Sequence, residues 1–328
     1  MIHPPASTIS SGFASHALRL LQRVQYGISP VELVYTAHEC WPFQPGQTIH
    51  TRPTLRISVL DSSFNPPTLA HLALANSLPP QPATSPSAES YDARMLLLSV
   101  RNADKVFKPG DAAFVQRLEM MRLLSHDICT TGTAESGSES SQISGNVAVA
   151  IIDEPTFVGK STLLLRFLHT RLATAVESTN SPNGTFSKED ASCPFPSPKL
   201  TFLLGFDTLV RLFSPEYYPL EQGMVQMLRT FLSPDQEDCR IVCAYRRSAG
   251  VDKTLQETQA KTLEVAHEFI TGNRISFIDI GTEEQTYSSS EVRAEVAAGG
   301  GTWRRLVTDT IAQYITQQRI YLSSEREQ

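Results

Sequence analysis

The sequence predicts an α/β fold, with a doubly wound, mostly parallel sheet in a single domain that closes on C-terminal helices. Three observations carry this. Six short apolar segments rich in β-branched residues, at 55–61, 94–100, 147–153, 199–205, 240–245 and 274–280, have the length and composition of strands. Segments with helical periodicity lie between most of them, at 68–77, 111–126, 160–173, 220–232 and 255–271. The chain has 328 residues, 41% of them hydrophobic, which suffices for one large core. Strands that alternate with helices make a parallel sheet covered on both faces, so the expected architecture is Rossmann-like.

The elements follow in order. Residues 1–50 are expected to form an N-terminal helical extension, with Leu18, Leu21 and Val24 on one side of an amphipathic helix. No acidic residue precedes Glu32, and Arg19 and Arg23 stand among serines, a pattern that also suits a mitochondrial presequence. Two arginines are few for a presequence, so the helix is the preferred reading. The domain itself is expected at 51–322, with a short tail at 323–328. Inserts at 79–90, 130–146 and 174–198 are rich in Pro, Ser, Thr and Gly. Such composition cannot bury a core, and flexible surface loops are expected there. Helical segments at 289–298 and 303–317 close the domain.

A net charge of -6 argues against a general nucleic-acid or membrane-surface binder. No apolar run is long enough to span a bilayer. The five cysteines are scattered, without zinc spacing, and are read as reduced thiols of a cytoplasmic or nuclear protein. Gly159-Lys160-Ser161 ends like a phosphate-binding loop, but the first glycine of that motif would fall on Glu154.

Two motifs carry chemistry. The first strand runs into Ser62-Ser63-Phe64-Asn65-Pro66-Pro67-Thr68-Leu69-Ala70-His71 and then a helix. In an open α/β sheet, ligands bind beyond the carboxyl ends of the strands. Free N–H groups at a helix start favour an anion. Thr68 and His71, three apart, share the first helical turn and offer a hydroxyl and an imidazole to a phosphate. At the other end of the chain, Tyr287-Ser288-Ser289-Ser290-Glu291-Val292-Arg293 also follows a strand and opens a helix. Ser288 and Glu291 fit a capping box. The three hydroxyls form an anion cradle, and Arg293 adds a forked donor within reach of a polyphosphate.

The first stretch resembles the signature of nicotinamide mononucleotide adenylyltransferases, Gly-Ser-Phe-Asn-Pro-x-Thr-x-x-His, with Ser62 replacing the leading Gly. The second is similar to the superfamily's Ile-Ser-x-Thr-x-x-Arg, with Tyr287 for Ile and Ser290 for Thr. The resemblance extends over residues 55–321. It implies a Rossmann-like nucleotidyltransferase that moves AMP from ATP to nicotinamide mononucleotide, with Mg²⁺ carried on the polyphosphate and no dedicated protein metal site. By the same resemblance His71, Thr68 and Arg293 are catalytic. Ser63, Phe64, Lys105, Lys108, Gly205, Asp207, Ser288, Ser289 and Ser290 bind ATP and its phosphates. Ser63, Phe64, Asn65 and Phe157 bind the acceptor. Asp207 has a second reading as a helix N-cap. The family stacks nicotinamide on an aromatic residue, often a Trp after the third strand; here 153–157 holds no Trp, and Phe157 is the substitute. Arg117-Leu118-Glu119-Met120 resembles the family's Arg-x-x-Met element, and Ile311, Tyr314 and Ile315 its C-terminal end. The divergent pattern is similar to fungal members of the group. That leaves open an ATPase, a sister cytidylyltransferase, and a regulatory protein linked to ubiquitin-dependent degradation that meets partners through the inserts. Homo-oligomerisation is also open.

Overall fold

The structure, a computed structural model, describes residues 11–45, 53–80, 90–101, 108, 110–131, 145–179, 196–219, 221–245 and 253–322. Seven strands form one sheet: β1 (Val31–Thr36), β2 (Thr54–Asp61), β3 (Ala93–Ser99), β4 (Val147–Ile152), β5 (Ser197–Gly205), β6 (Arg240–Ala244) and β7 (Ile275–Ile278). Their order is β1-β4-β3-β2-β5-β6-β7. All neighbours are parallel except β1, which lies antiparallel to β4. The chain winds outward from β2 to β4, returns to β5, and winds outward the other way. The reversal leaves a crevice where the carboxyl ends of β2 and β5 diverge into different helices.

Side chains alternate across the sheet, because successive residues of a strand point to opposite faces. Ile57, Val59, Met95, Leu97, Phe202 and Leu204 enter one core, with α4 (Phe157–Thr179), α5 (Phe206–Leu212) and α6 (Glu221–Leu232). Leu60, Leu96, Leu98, Val149, Ile151 and Leu203 enter the other, with α1 (Ser11–Gln25), α2 (Leu69–Ala75), α3 (Phe114–Thr131), α9 (Ser289–Ala298) and α10 (Asp309–Gln317). Every residue of β4 is buried, so its continuous apolar run reads as a central strand. Ile57 is fully buried between these layers. Ile57→Val is expected to cost about 1 kcal/mol in a urea unfolding curve, the usual effect of one missing core methyl; no shift of the midpoint would place the side chain in a looser region.

Several expectations need correction. Within the expected N-terminal extension, residues 11–36 belong to the domain: β1 extends the sheet, and α1 packs on α3 and β1. Val-Glu-Leu-Val-Tyr-Thr is short and carries a charge, which hides β1 among the apolar runs of the sequence. Leu18 faces outward, 45% exposed, while Ala17, Leu21 and Val24 meet the core. The helix expected over 255–271 is two, α7 (Lys253–Val265) and α8 (His267–Thr271), which turn at buried Ala266. The helix expected over 303–317 is a 3₁₀ turn at Thr302–Leu306 followed by α10, because Val307 and Thr308 are extended. α3 and α4 run into the expected inserts, to Thr131 and Thr179; most of the remainder of those inserts lies outside the described residues. Cys40, Cys239 and Cys243 are free. No described helix is long and apolar enough to cross a membrane.

Candidate active site

A cleft of about 590 Å³ opens at the carboxyl ends of β2 and β5. Ser63, Asn65, Thr68, His71, Lys108, Gly205, Asp207, Ser288, Ser289, Ser290 and Arg293 all line it. The tertiary structure thus gathers both motifs, which lie more than 200 residues apart, into one place.

Local chemistry fixes His71. Thr68 is the N-cap of α2, and His71 is its third helical residue. The Thr68 backbone N–H donates to His71 Nδ1 at 3.0 Å, and Thr68 Oγ1 lies 2.9 Å from the same nitrogen. His71 therefore takes the reciprocal capping role that Glu or Gln usually fills. A backbone N–H can only donate, so Nδ1 accepts and the neutral ring carries its proton on Nε2. That proton meets Ser62 Oγ at 2.9 Å on the cleft side. Ser62, the departure from the family signature, is thus a partner of the candidate catalytic imidazole. Its φ is not positive, so the position does not demand glycine. Thr68 is only 1% exposed and serves chiefly to orient His71.

Phe64 adopts φ +45 and is fully buried, its ring 5.4 Å from that of His71. A left-handed bulky residue is strained and persists only where its surroundings hold it. Phe64 supports the imidazole from beneath and does not line the cleft, contrary to the expectation that it contacts ligand.

The second motif is tied to the first. Ser288 is the N-cap of α9, accepting from Ser290 N at 3.2 Å. Ser289 Oγ donates to Pro66 O at 2.7 Å, and Arg293 Nη1 donates to Asn65 O at 2.6 Å. Arg293 Nη2 reaches Ser290 Oγ at 3.2 Å. Ser288→Ala should cost about 1 kcal/mol of unfolding free energy, the usual loss of a helix cap. A thermal melt matching the parent would show that water replaces the hydroxyl.

Asp111 joins these parts. Its carboxylate accepts from Asn65 Nδ2 at 2.7 Å and from Lys108 N at 3.1 Å. It lies 3.5 Å from Arg293 Nε and 3.6 Å from Arg117 Nη2. Burial lowers the pKa of the Arg117 guanidinium, and Asp111 opposes that shift. Asn65 Oδ1 accepts from Ala112 N and from the Tyr321 hydroxyl, at 3.1 and 2.9 Å. Burial pushes the Tyr321 phenol up, so it remains a donor. Asn65, expected to bind the acceptor, has its side chain engaged in this clamp. Nothing in the sequence pattern singled out Asp111.

Two further expectations change. Phe157 is the first residue of α4 and faces the opposite core, edge-on to Phe202 at 5.7 Å. It is not among the cleft's lining residues, because the apolar start of α4 must cover that face of the sheet. Asp207 is not an N-cap: Gly205 caps α5, and Asp207 is exposed in its first turn. A Cβ placed on Gly205 would meet nothing within 4 Å, so the cleft is open at that point. Lys105 lies outside the described residues.

No model of a known protein family matches the chain. A Schizosaccharomyces pombe protein provisionally named nicotinamide mononucleotide adenylyltransferase is 33% identical over 210 residues, 63% of this chain. The chain spans 59% of that relative's length. Two solved structures of Plasmodium falciparum nicotinic acid mononucleotide adenylyltransferase, one with NaAD and one with APC, align at 14% identity with TM-scores of 0.41 and 0.40. They cover 82% and 81% of this chain and 98% and 97% of their own.

A buried ion pair includes Asp61, a residue of the cleft lining. Lys160 Nζ meets Asp61 Oδ2 at 2.5 Å, with side chains 4% and 8% exposed. The lysine that ended a false phosphate-loop match therefore neutralises a carboxylate of the cleft lining.

Proposed function

We propose that this chain is a nicotinamide mononucleotide adenylyltransferase, which joins AMP from ATP to the 5′-phosphate of nicotinamide mononucleotide and releases pyrophosphate. One observation carries the reading. The proton-bearing Nε2 of His71, the start of α9 and Arg293 converge on one cleft at the sheet's switch point. The name of the yeast relative supports this choice of acceptor.

In this reading the acceptor phosphate attacks the α-phosphorus of ATP, so the nucleophile arrives with the substrate. Catalysis then rests on positioning and on stabilising charge. His71 Nε2–H leaves Ser62 Oγ and donates to the α-phosphate as charge builds. The N–H groups of α9, the serine hydroxyls and Arg293 hold the β- and γ-phosphates, and Lys108 stands at the rim. Among the described residues, no group of three or more His, Cys, Asp or Glu side chains converges. Asp61 and Asp111 are already held by cations. Bound Mg²⁺ would sit on phosphate oxygens and water and would supply neutralisation of the polyphosphate charge.

The test is an end-point assay with ATP, Mg²⁺ and nicotinamide mononucleotide that reads NAD and pyrophosphate together. Equal amounts of both support the transferase, and CTP in place of ATP tests a sister specificity. Orthophosphate without NAD supports a second reading, ATP hydrolysis. That reading has one observation in its favour: Phe157, the expected pyridine stacker, is packed on Phe202.

A further inference from the structure

Ser62 stands where the first signature has Gly, on a backbone that either residue can adopt. What the chain gains there is a hydroxyl. Its oxygen lies 2.9 Å from His71 Nε2, and both residues line the cleft. Both partners are held in place. β2 pairs with β3 as far as Asp61 and Leu97, and the Ser62 N–H then donates to Leu97 O at 3.3 Å. Asp61, the residue before it, is tied to Lys160. On the other side, the Thr68 backbone N–H holds His71 Nδ1 at 3.0 Å, and the buried Phe64 ring lies against the imidazole.

Because Nδ1 accepts, Nε2 carries the proton of the neutral ring, and Ser62 Oγ receives it. An N–H makes one strong, nearly linear hydrogen bond, so Ser62 and an incoming phosphate compete for the same proton. A phosphate oxygen wins as its charge builds, since a charged acceptor makes the stronger bond. The bond to Ser62 must still be broken first. A glycine at this place leaves the proton to water, which holds it less well by the net amount of one neutral hydrogen bond.

We propose that Ser62 is a positioning residue that latches the His71 proton until phosphate takes it, and that this latch slows turnover relative to a residue without a hydroxyl. The inference rests on the transferase reading of the cleft. The proton changes partner only as charge builds at the α-phosphate, so the latch acts on kcat and leaves KM for ATP unchanged.

The test measures NAD formation by the full chain and records long-range ¹H–¹⁵N spectra of its histidine rings, with the His71 signals assigned by their loss in His71→Ala. Ser62→Ala and Ser62→Gly should each raise kcat about 2- to 10-fold, the equivalent of one neutral hydrogen bond, at an unchanged KM for ATP. In a His71→Ala background, Ser62→Ala should add nothing, because the hydroxyl acts through the imidazole. The parent ring should be the Nε2–H tautomer, and its proton should exchange with water more slowly than in Ser62→Ala. Parental or lower kcat in a folded Ser62→Ala protein would overturn the latch and leave the transferase reading standing. An Nδ1–H tautomer in the parent, or the same gain in the His71→Ala background, would do so as well. A parent that forms no NAD from ATP and nicotinamide mononucleotide would sink the transferase reading and this inference with it.

Discussion

His71→Ala is expected to lower turnover roughly 10²- to 10³-fold, the usual loss when one preorganised donor to a developing oxyanion is removed. The imidazole is held from three sides: Thr68 at Nδ1, Ser62 at Nε2 and the Phe64 ring beneath. Such fixing holds the ring in place, so that the Nε2 proton has only to pass from Ser62 Oγ to the phosphate. The variant should stay folded, because His71 contributes a helix-cap interaction worth about 1 kcal/mol and no core volume. Initial rates under saturating ATP and acceptor, beside a urea unfolding curve, separate the two effects. Normal turnover in a folded His71→Ala protein would remove His71 from the mechanism. A large fall in stability would instead make it a structural residue.

The second large effect concerns stability. Asp61→Ala should cost about 3–5 kcal/mol, because it strands the Lys160 ammonium in the sheet–helix interior. That lysine is 4% exposed, and the Phe157 ring 5.0 Å away is a weak substitute for a carboxylate. The double variant Asp61→Leu/Lys160→Met should recover most of the loss, since paired charges in an interior offset little beyond their own desolvation. Urea unfolding of the single and double variants measures both. A cost below about 1 kcal/mol for Asp61→Ala would mean that water reaches the pair, and that Asp61 is available to ligand rather than spent on Lys160.

How far the site was legible differs by residue. Thr68, His71, Ser288 and Arg293 sit at strand–helix junctions, where short-range spacing decides which side chains share a turn. Their gathering into one cleft follows from the crossover order of the sheet. Asp111 and Asp61 carried no local signal. Each acts through a partner that is distant in the chain, such as Asp61 with Lys160. Phe157 shows the opposite error. Its position after the strand end suggested a ligand contact, but the apolar stripe of α4 had to meet Phe202 and Leu204.

By itself the sequence determined the alternating α/β architecture, the approximate places of six strands and the two capped strand–helix turns. Hydrophobic period, capping and turn chemistry are local, and each is set by residues a few positions apart. Only the tertiary structure decided that β1 joins the sheet edge, that Ser62 holds the His71 proton, and that Asp111 and Tyr321 clamp the signature turn. Those outcomes depend on burial and on pairing between distant segments. A buried polar group must find a partner wherever the fold provides one, and no spacing rule along the chain encodes which one that is.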